Sequence, residues 1–122
     1  MREAQKFTIP NRLASYGELM ATCANNSAAL RDRERYNIKL VRWAIREANL
    51  EEVRGRVSVH VHWVEPSSSR KFSHVAAAAV FVEDALIVAG IIKNPISQIE
   101  CIYSTFAVNA GDPRVEVTIE PR

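Results

Sequence analysis

The chain has 122 residues, with 16 lysines and arginines, 14 aspartates and glutamates, and 48% hydrophobic residues. This length fits one ordinary domain, and the low content of glycine and proline, four and five residues, excludes collagen-like, linker-like and disordered classes. The net charge of +2 hides an asymmetry, because residues 1–71 hold 13 basic and 8 acidic residues, whereas residues 72–122 hold 3 basic and 6 acidic residues. We therefore expect a single domain over residues 1–122 whose positive charge is concentrated in its first part.

The sequence predicts neither a secretion signal nor a membrane span. Residues 1–15 begin with charged side chains and contain no apolar run of signal-peptide length. The longest apolar stretch, residues 75–89, is interrupted by Glu83 and Asp84, so it is too short and too charged to cross a bilayer. The two cysteines form neither a disulfide framework nor a metal-binding motif. We expect a cytoplasmic protein with no membrane partner.

The first half of the chain predicts one strand and two helices. Residues 6–9 alternate weakly before a proline and predict a short strand. A short helix is expected over residues 15–23, which begin with the capping-box pattern of Ser15 and Glu18. Residues 28–50 contain strong helix formers without glycine or proline and predict a long amphipathic helix. Its apolar face consists of Leu30, Val41, Ala44, Ile45 and Ala48.

One face of this long helix is basic. At roughly 100° per residue, five basic residues fall within an arc of about 80°, away from the centre of the apolar face. These residues are Arg31, Arg35, Lys39, Arg42 and Arg46. Such a row is typical either of a solvated helix face or of a surface that follows nucleic-acid phosphates.

The second half predicts a strand and a strongly apolar helix. Residues 56–65 alternate apolar and polar side chains, which is typical of a half-buried strand. Residues 74–89 predict a helix that ends at Gly90. Because 13 of the 15 positions from 75 to 89 are apolar, we expect this helix to be covered on more than one side.

Two strands end the predicted order. Residues 99–108 and 114–120 alternate, and a five-residue connection rich in turn formers joins them. The resulting order is β-α-α-β-α-β-β. It is typical of an α/β (α+β) domain with a small mixed or antiparallel sheet of about four strands and three helices.

Five stretches of the sequence carry a family resemblance. They are Phe7-Thr-Ile-Pro-Asn-Arg-Leu13, the basic helix, His62-Trp-Val-Glu-Pro66, Asp84-Ala-Leu-Ile-Val-Ala-Gly-Ile-Ile-Lys-Asn94 and Asp112-Pro-Arg-Val-Glu-Val-Thr-Ile119. In this order and spacing they resemble the RusA family of phage and prophage Holliday-junction resolvases. The resemblance covers nearly the whole chain and implies a RusA-like fold, a homodimer and a magnesium-dependent endonuclease that cuts branched DNA.

The resemblance also implies a site of three aspartates, where magnesium activates water and stabilises the leaving oxygen. Here the aligned positions are Lys71, Ser73 and Pro95, so all three expected carboxylates are missing. Lys71 in place of an aspartate changes the local charge by two units where the family would hold a divalent cation. We therefore expect no catalytic residues, no cofactor and no magnesium-dependent cleavage.

Two other groups of residues are candidates for a metal site. The first, a candidate zinc or nickel set, consists of His60, His62 and His74. Histidines on the polar face of a strand are more often ordinary sheet residues. The second group consists of Glu65, Glu83 and Asp84. If these carboxylates bound magnesium, the chain would be an active junction resolvase with non-standard metal ligands.

The sequence thus predicts a catalytically inactive RusA-like protein from a phage or other mobile element that acts by binding. One target is branched or duplex DNA, held by the basic helix face and by Arg70. The other target is a host or rival-element protein. In that case the chain acts, for example, as an inhibitor or a regulator. The family resemblance places lysines where residues 76–80 are apolar here, which favours a partner surface. The sequence leaves open which of these two targets is bound. It also leaves open that the chain is a decayed copy of a resolvase without a function of its own.

Overall fold

A computed structural model describes residues 3–10 and 27–122 of the chain. The described strands are β1 (Gln5–Pro10), β2 (Val57–Glu65), β3 (Ile99–Val108) and β4 (Arg114–Pro121). The described helices are α1 (Ser27–Ala48), α2 (Phe72–Ala76), α3 (Ala79–Val88) and α4 (Pro95–Gln98). The order of these elements agrees with the predicted order, and the helix predicted over residues 15–23 lies outside the described residues.

The four described strands form one mixed sheet in the order β1-β4-β2-β3. β4 is antiparallel to β1 and β2, whereas β2 and β3 are parallel. β3 and β4 follow each other in the chain but do not pair, because β2 lies between them. Their connection crosses the end of β2, where the amide of Asn109 donates a hydrogen bond to the carbonyl of Glu65 at 2.8 Å.

One face of the sheet packs into the core with α1 and α3. The strand residues buried on this face are Phe7, Ile9, Val57, Val59, Val61, Trp63, Val115, Val117 and Ile119. The helices contribute Val41, Ala44, Ile45, Phe81, Val82, Ala85 and Leu86 to the same cluster. Removing this apolar surface from water, at about 25 cal/mol per Å², is the main favourable contribution to folding. The opposite face carries polar side chains, among them His60, His62 and Thr118.

α1 corresponds closely to the helix predicted over residues 28–50. Its predicted apolar residues Val41, Ala44 and Ile45 are buried. Ala48 is exposed instead, because the helix ends there and Asn49 turns the chain with a left-handed φ of 53°. The side chain of Leu30 is not among those described.

The helix predicted over residues 74–89 is two helices, with Ala77 and Ala78 in the turn between α2 and α3. Its predicted end is confirmed, since Gly90 follows α3 with a φ of 75°. The expectation that it is covered on more than one side agrees with its contacts, because α3 packs against α1 and against the strand residues of the core. The cover is not complete, since Val80 and Val88 are 42% and 61% exposed.

None of the helices within residues 27–122 has the length and apolar character needed to cross a membrane.

Candidate nucleic-acid interface

α1 presents five basic side chains to solvent. We call this set the basic stripe; it consists of Arg31, Arg35, Lys39, Arg42 and Arg46, all exposed. From its first to its last member the stripe extends about 22 Å at 1.5 Å per residue. On the other side of α1, Val41 and Ile45 are buried in the core. Their burial fixes the rotation of the helix, so the stripe points away from the sheet.

Acidic neighbours reduce the charge of the stripe only in part. Arg35 Nη1 lies 3.9 Å from Asp32 Oδ1 one turn earlier, and both side chains are mostly exposed. Exposed pairs of this kind are screened by water and contribute little. Glu47 is the other exposed acid described on α1. The outer side of α1 therefore keeps an excess of positive charge, which attracts polyanions.

Two aromatic side chains flank the stripe. Tyr36 and Trp43 are 65% and 47% exposed, although most aromatic side chains are largely buried. They are seven residues apart, close to two helical turns, and so lie on the same side of α1. Sequence reasoning missed them, although their spacing beside the basic residues was a usable signal.

Arg70 does not lie on this surface. Its Nε donates a hydrogen bond to Glu65 Oε1 at 2.6 Å, and the two side chains are 9% and 7% exposed. Glu65 is the last residue of β2, so the pair holds the following loop against the end of that strand. Arg70, which the sequence analysis names as a DNA-binding residue, therefore holds a structural contact here, and its side chain is largely buried.

Lys71 and Ser73 lie at the start of α2. They are two of the three positions where the RusA resemblance implies metal ligands. Lys71 precedes the first turn of this helix and Ser73 lies within it, and both are exposed. Between them, the ring of Phe72 stacks on that of Phe106 with a centroid distance of 4.5 Å. These two positions therefore lie beside the later part of β3.

Pro95, the third aligned position, lies near the other end of β3. It begins α4, which runs directly into Ile99 at the start of that strand. Gln98 holds this end in place, because its Nε2 donates to the carbonyl of Val53 at 2.9 Å. Ile99 and Phe106 are seven residues apart in an extended strand, about 23 Å. The three aligned positions thus lie near opposite ends of β3.

His60 and His62 share one hydrogen-bond partner on the polar face of the sheet. His60 Nε2 and His62 Nδ1 lie 2.7 and 2.6 Å from the same Thr105 Oγ1. Because a hydroxyl has one proton, Thr105 donates to at most one of the two rings, so at least one ring N–H donates to its Oγ1. Tyr103 stacks on His60 with a centroid distance of 4.6 Å and donates to Glu120 Oε1 at 2.6 Å. This hydrogen bond to the carboxylate raises the pKa of the Tyr103 phenol.

Among the side chains described within residues 3–10 and 27–122, no group of three or more histidine, cysteine, aspartate or glutamate residues is placed to hold a metal ion. The side chain of His74 lies outside the described part of the chain. Glu83 is half-buried and Asp84 is exposed on α3, whereas Glu65 is paired with Arg70.

Comparison with known proteins leaves the family open. No protein-family model matches the chain, and no curated protein matches it. The function is therefore inferred from the residues and contacts described above.

Proposed function

We propose that the chain is a RusA-like protein of phage or mobile-element origin that acts in the bacterial cytoplasm as a homodimer. It binds branched or duplex DNA through the basic stripe and does not cut it by magnesium-dependent chemistry. The observation that carries this proposal is the row of five exposed basic side chains along about 22 Å of one helix. That length matches about six phosphates of one duplex strand. Phosphate contacts give affinity without reading bases, which suits a target recognised by its shape.

The three positions aligned with family ligands support binding without cutting. Lys71, Ser73 and Pro95 provide no carboxylate, and a magnesium ion among phosphates requires anionic oxygen ligands. Lys71 is exposed, so its ammonium group is available to a phosphate.

Electrophoretic mobility shifts of a labelled four-way junction and a matched duplex over a salt series test the proposal. We expect the logarithm of the binding constant to fall linearly with the logarithm of salt concentration, by about 0.9 per phosphate contact. Arg35→Glu combined with Arg42→Glu removes two contacts, so this slope should fall by about two units and affinity by at least about tenfold.

A double reversal with the same charge change provides the control. Lys6 lies on the polar face of the sheet, opposite the helices, and Arg54 follows α1 on an exposed segment. Lys6→Glu combined with Arg54→Glu should therefore leave affinity within about twofold of the original. Equal weakening by both double variants would show a general charge effect and contradict an interface on α1. Paired nicks in the junction at low protein concentration with magnesium or manganese would contradict the absence of cleavage.

A second candidate function is binding of a host or rival-element protein beside α2 and α3. It is favoured by the exposure of Phe72 on α2 and Val80 on α3, two large apolar side chains. Exposed apolar side chains in one region are typical of protein contacts. If the junction and the duplex both fail to bind at low salt, this second candidate replaces the first.

A further inference from the structure

The outer side of α1 combines exposed rings with charge. Trp43 is one of two tryptophans in the chain. The other, Trp63, is fully buried, and its indole N–H donates to Ser104 Oγ at 2.9 Å. The aromatic stacking pairs among the described residues do not include Tyr36 or Trp43. Two large ring surfaces are thus available beside the stripe.

The spacing places a cation between the two rings. Tyr36, Lys39 and Trp43 are separated by three and four residues, so they lie within an arc of about 60° on successive turns of α1. The Cα atoms of Tyr36 and Trp43 are about 10 Å apart along the helix axis. Arg42 directly precedes Trp43, and Arg46 continues the positive charge beyond it. The pattern along the helix is therefore ring, cation, ring, cation.

On the basis of the DNA binding proposed above, we infer that this surface binds an unpaired, single-stranded segment of DNA. Bases stack on Trp43 and Tyr36, while Lys39 and its basic neighbours contact the adjacent phosphates. Stacking on aromatic side chains tolerates any sequence, because every base has a π face, and each stacked base raises affinity about tenfold. A branched substrate offers such bases where its branch point is opened.

The other occupants of this face satisfy fewer of its features. A continuous duplex offers phosphates to the stripe, but its bases are stacked on each other and leave both rings without a partner. A second copy packed on the same face would bring two sets of positive charges together, which opposes association. A single strand uses both the charges and the rings.

Tryptophan fluorescence of the full chain tests the inference. The probes are an oligothymidylate of twelve nucleotides and a blunt-ended DNA duplex. We expect the oligothymidylate to quench the emission of Trp43, because stacking requires ring contact. The duplex should quench it much less, and the buried Trp63 supplies a constant background. In Trp43→Phe, the quenching should disappear while most of the affinity remains.

Fluorescence anisotropy of labelled oligothymidylate gives the affinity. Trp43→Ala should weaken binding about tenfold. Ile96→Ala provides the control, since Ile96 is 98% exposed and lies on α4, which contacts β3, and this variant should bind as the original does. Circular dichroism checks that both variants are folded.

Three outcomes would overturn the inference. Salt-dependent binding of oligothymidylate that Trp43→Ala leaves unchanged would overturn it while the proposed DNA binding stands. Failure of both probes to bind at low salt would overturn the proposed DNA binding as well. A fall in sedimentation mass in Trp43→Ala, with unchanged DNA affinity, would assign this face to contact between copies of the chain.

Discussion

Glu65 and Arg70 form the most buried ion pair among the described residues, with side chains 7% and 9% exposed. Burying two charges costs solvation energy, and their mutual attraction offsets this cost only while both are present. Glu65 Oε2 is also buried without a hydrogen-bond partner in the described part of the chain. This carboxylate therefore depends strongly on Arg70.

The dependence predicts an asymmetry between single and double replacements of this pair. Arg70→Met leaves Glu65 buried without its cation and should lower the free energy of unfolding by about 3–5 kcal/mol. Glu65→Leu combined with Arg70→Met should recover most of that loss, because neither charge is then buried. Urea unfolding measures both. A single variant as stable as the original would show that the pair is solvated in solution.

Tyr103 is expected to lose its proton at a higher pH than an ordinary tyrosine. Its hydrogen bond to Glu120 raises the pKa of the phenol in the folded chain, and burial and the charge of Glu120 add to this. The contact therefore stabilises the fold fully below the ordinary pKa of about 10 and is lost as pH rises through the raised value. In Glu120→Gln the pKa of Tyr103 should fall back towards its ordinary value.

An alkaline absorbance titration of tyrosinate measures this shift. The chain has three tyrosines, so the difference from Tyr103→Phe assigns the signal to Tyr103. Identical titration curves for the original and Glu120→Gln would contradict the contact.

Gly90 ends α3 in a conformation that residues with a side chain rarely adopt. Its φ is 75°, and a Cβ added there would meet no atom within 4 Å. Gly90→Ala should therefore destabilise the protein by about 1 kcal/mol through backbone strain alone. Gly111→Ala is the matched control, since its φ lies outside the left-handed region and its added Cβ would meet Asn109 Oδ1 at an ordinary 3.6 Å. Thermal unfolding compares the two, and equal losses would contradict the role of the φ angle.

The strand positions were predictable because alternation reports directly which face of a strand is buried. All four predicted strands agree with the structure to within one residue at each end. Their pairing was not predictable, because β3 and β4 show the same alternation whichever strand lies beside them. The break at Ala77 and Ala78 has no local signal, since alanine is the strongest helix former. The short helix α4 was missed despite Pro95 at its first turn, a typical start.

The part of the candidate site that lies on a single helix could be predicted from the sequence. The stripe follows from the period of α1, so Arg35 and Arg42 lie on the exposed face as expected. The burial of Arg70 was not predictable, because it depends on a carboxylate at the end of β2, which no sequence period reports. The contact of His60 and His62 with Thr105 also depends on the pairing of β2 with β3.

At the scale of the whole molecule, the parallel pairing of β2 and β3 separates the positions that the family resemblance groups together. In a parallel pair both strands run in the same direction. The end of one strand and the start of the other therefore lie at opposite ends of the pair. Lys71 follows the end of β2, and Pro95 precedes the start of β3. A site that uses both positions would therefore need two chains, with residue 95 of one chain close to residue 71 of the other.

This separation predicts how restored carboxylates behave. In a monomer, Lys71→Asp, Ser73→Asp and Pro95→Asp together should bind magnesium no more tightly than Lys71→Asp and Ser73→Asp alone, because position 95 lies near the far end of β3. The proposed homodimer could bring residue 95 of one chain close to residue 71 of the other. In that case the triple variant should bind magnesium more tightly as the protein concentration rises into the dimeric range. Calorimetric titration with magnesium chloride at concentrations fixed by sedimentation measures both regimes. Tighter binding by the triple variant in the monomeric range would contradict this placement, since three carboxylates would then converge within one chain.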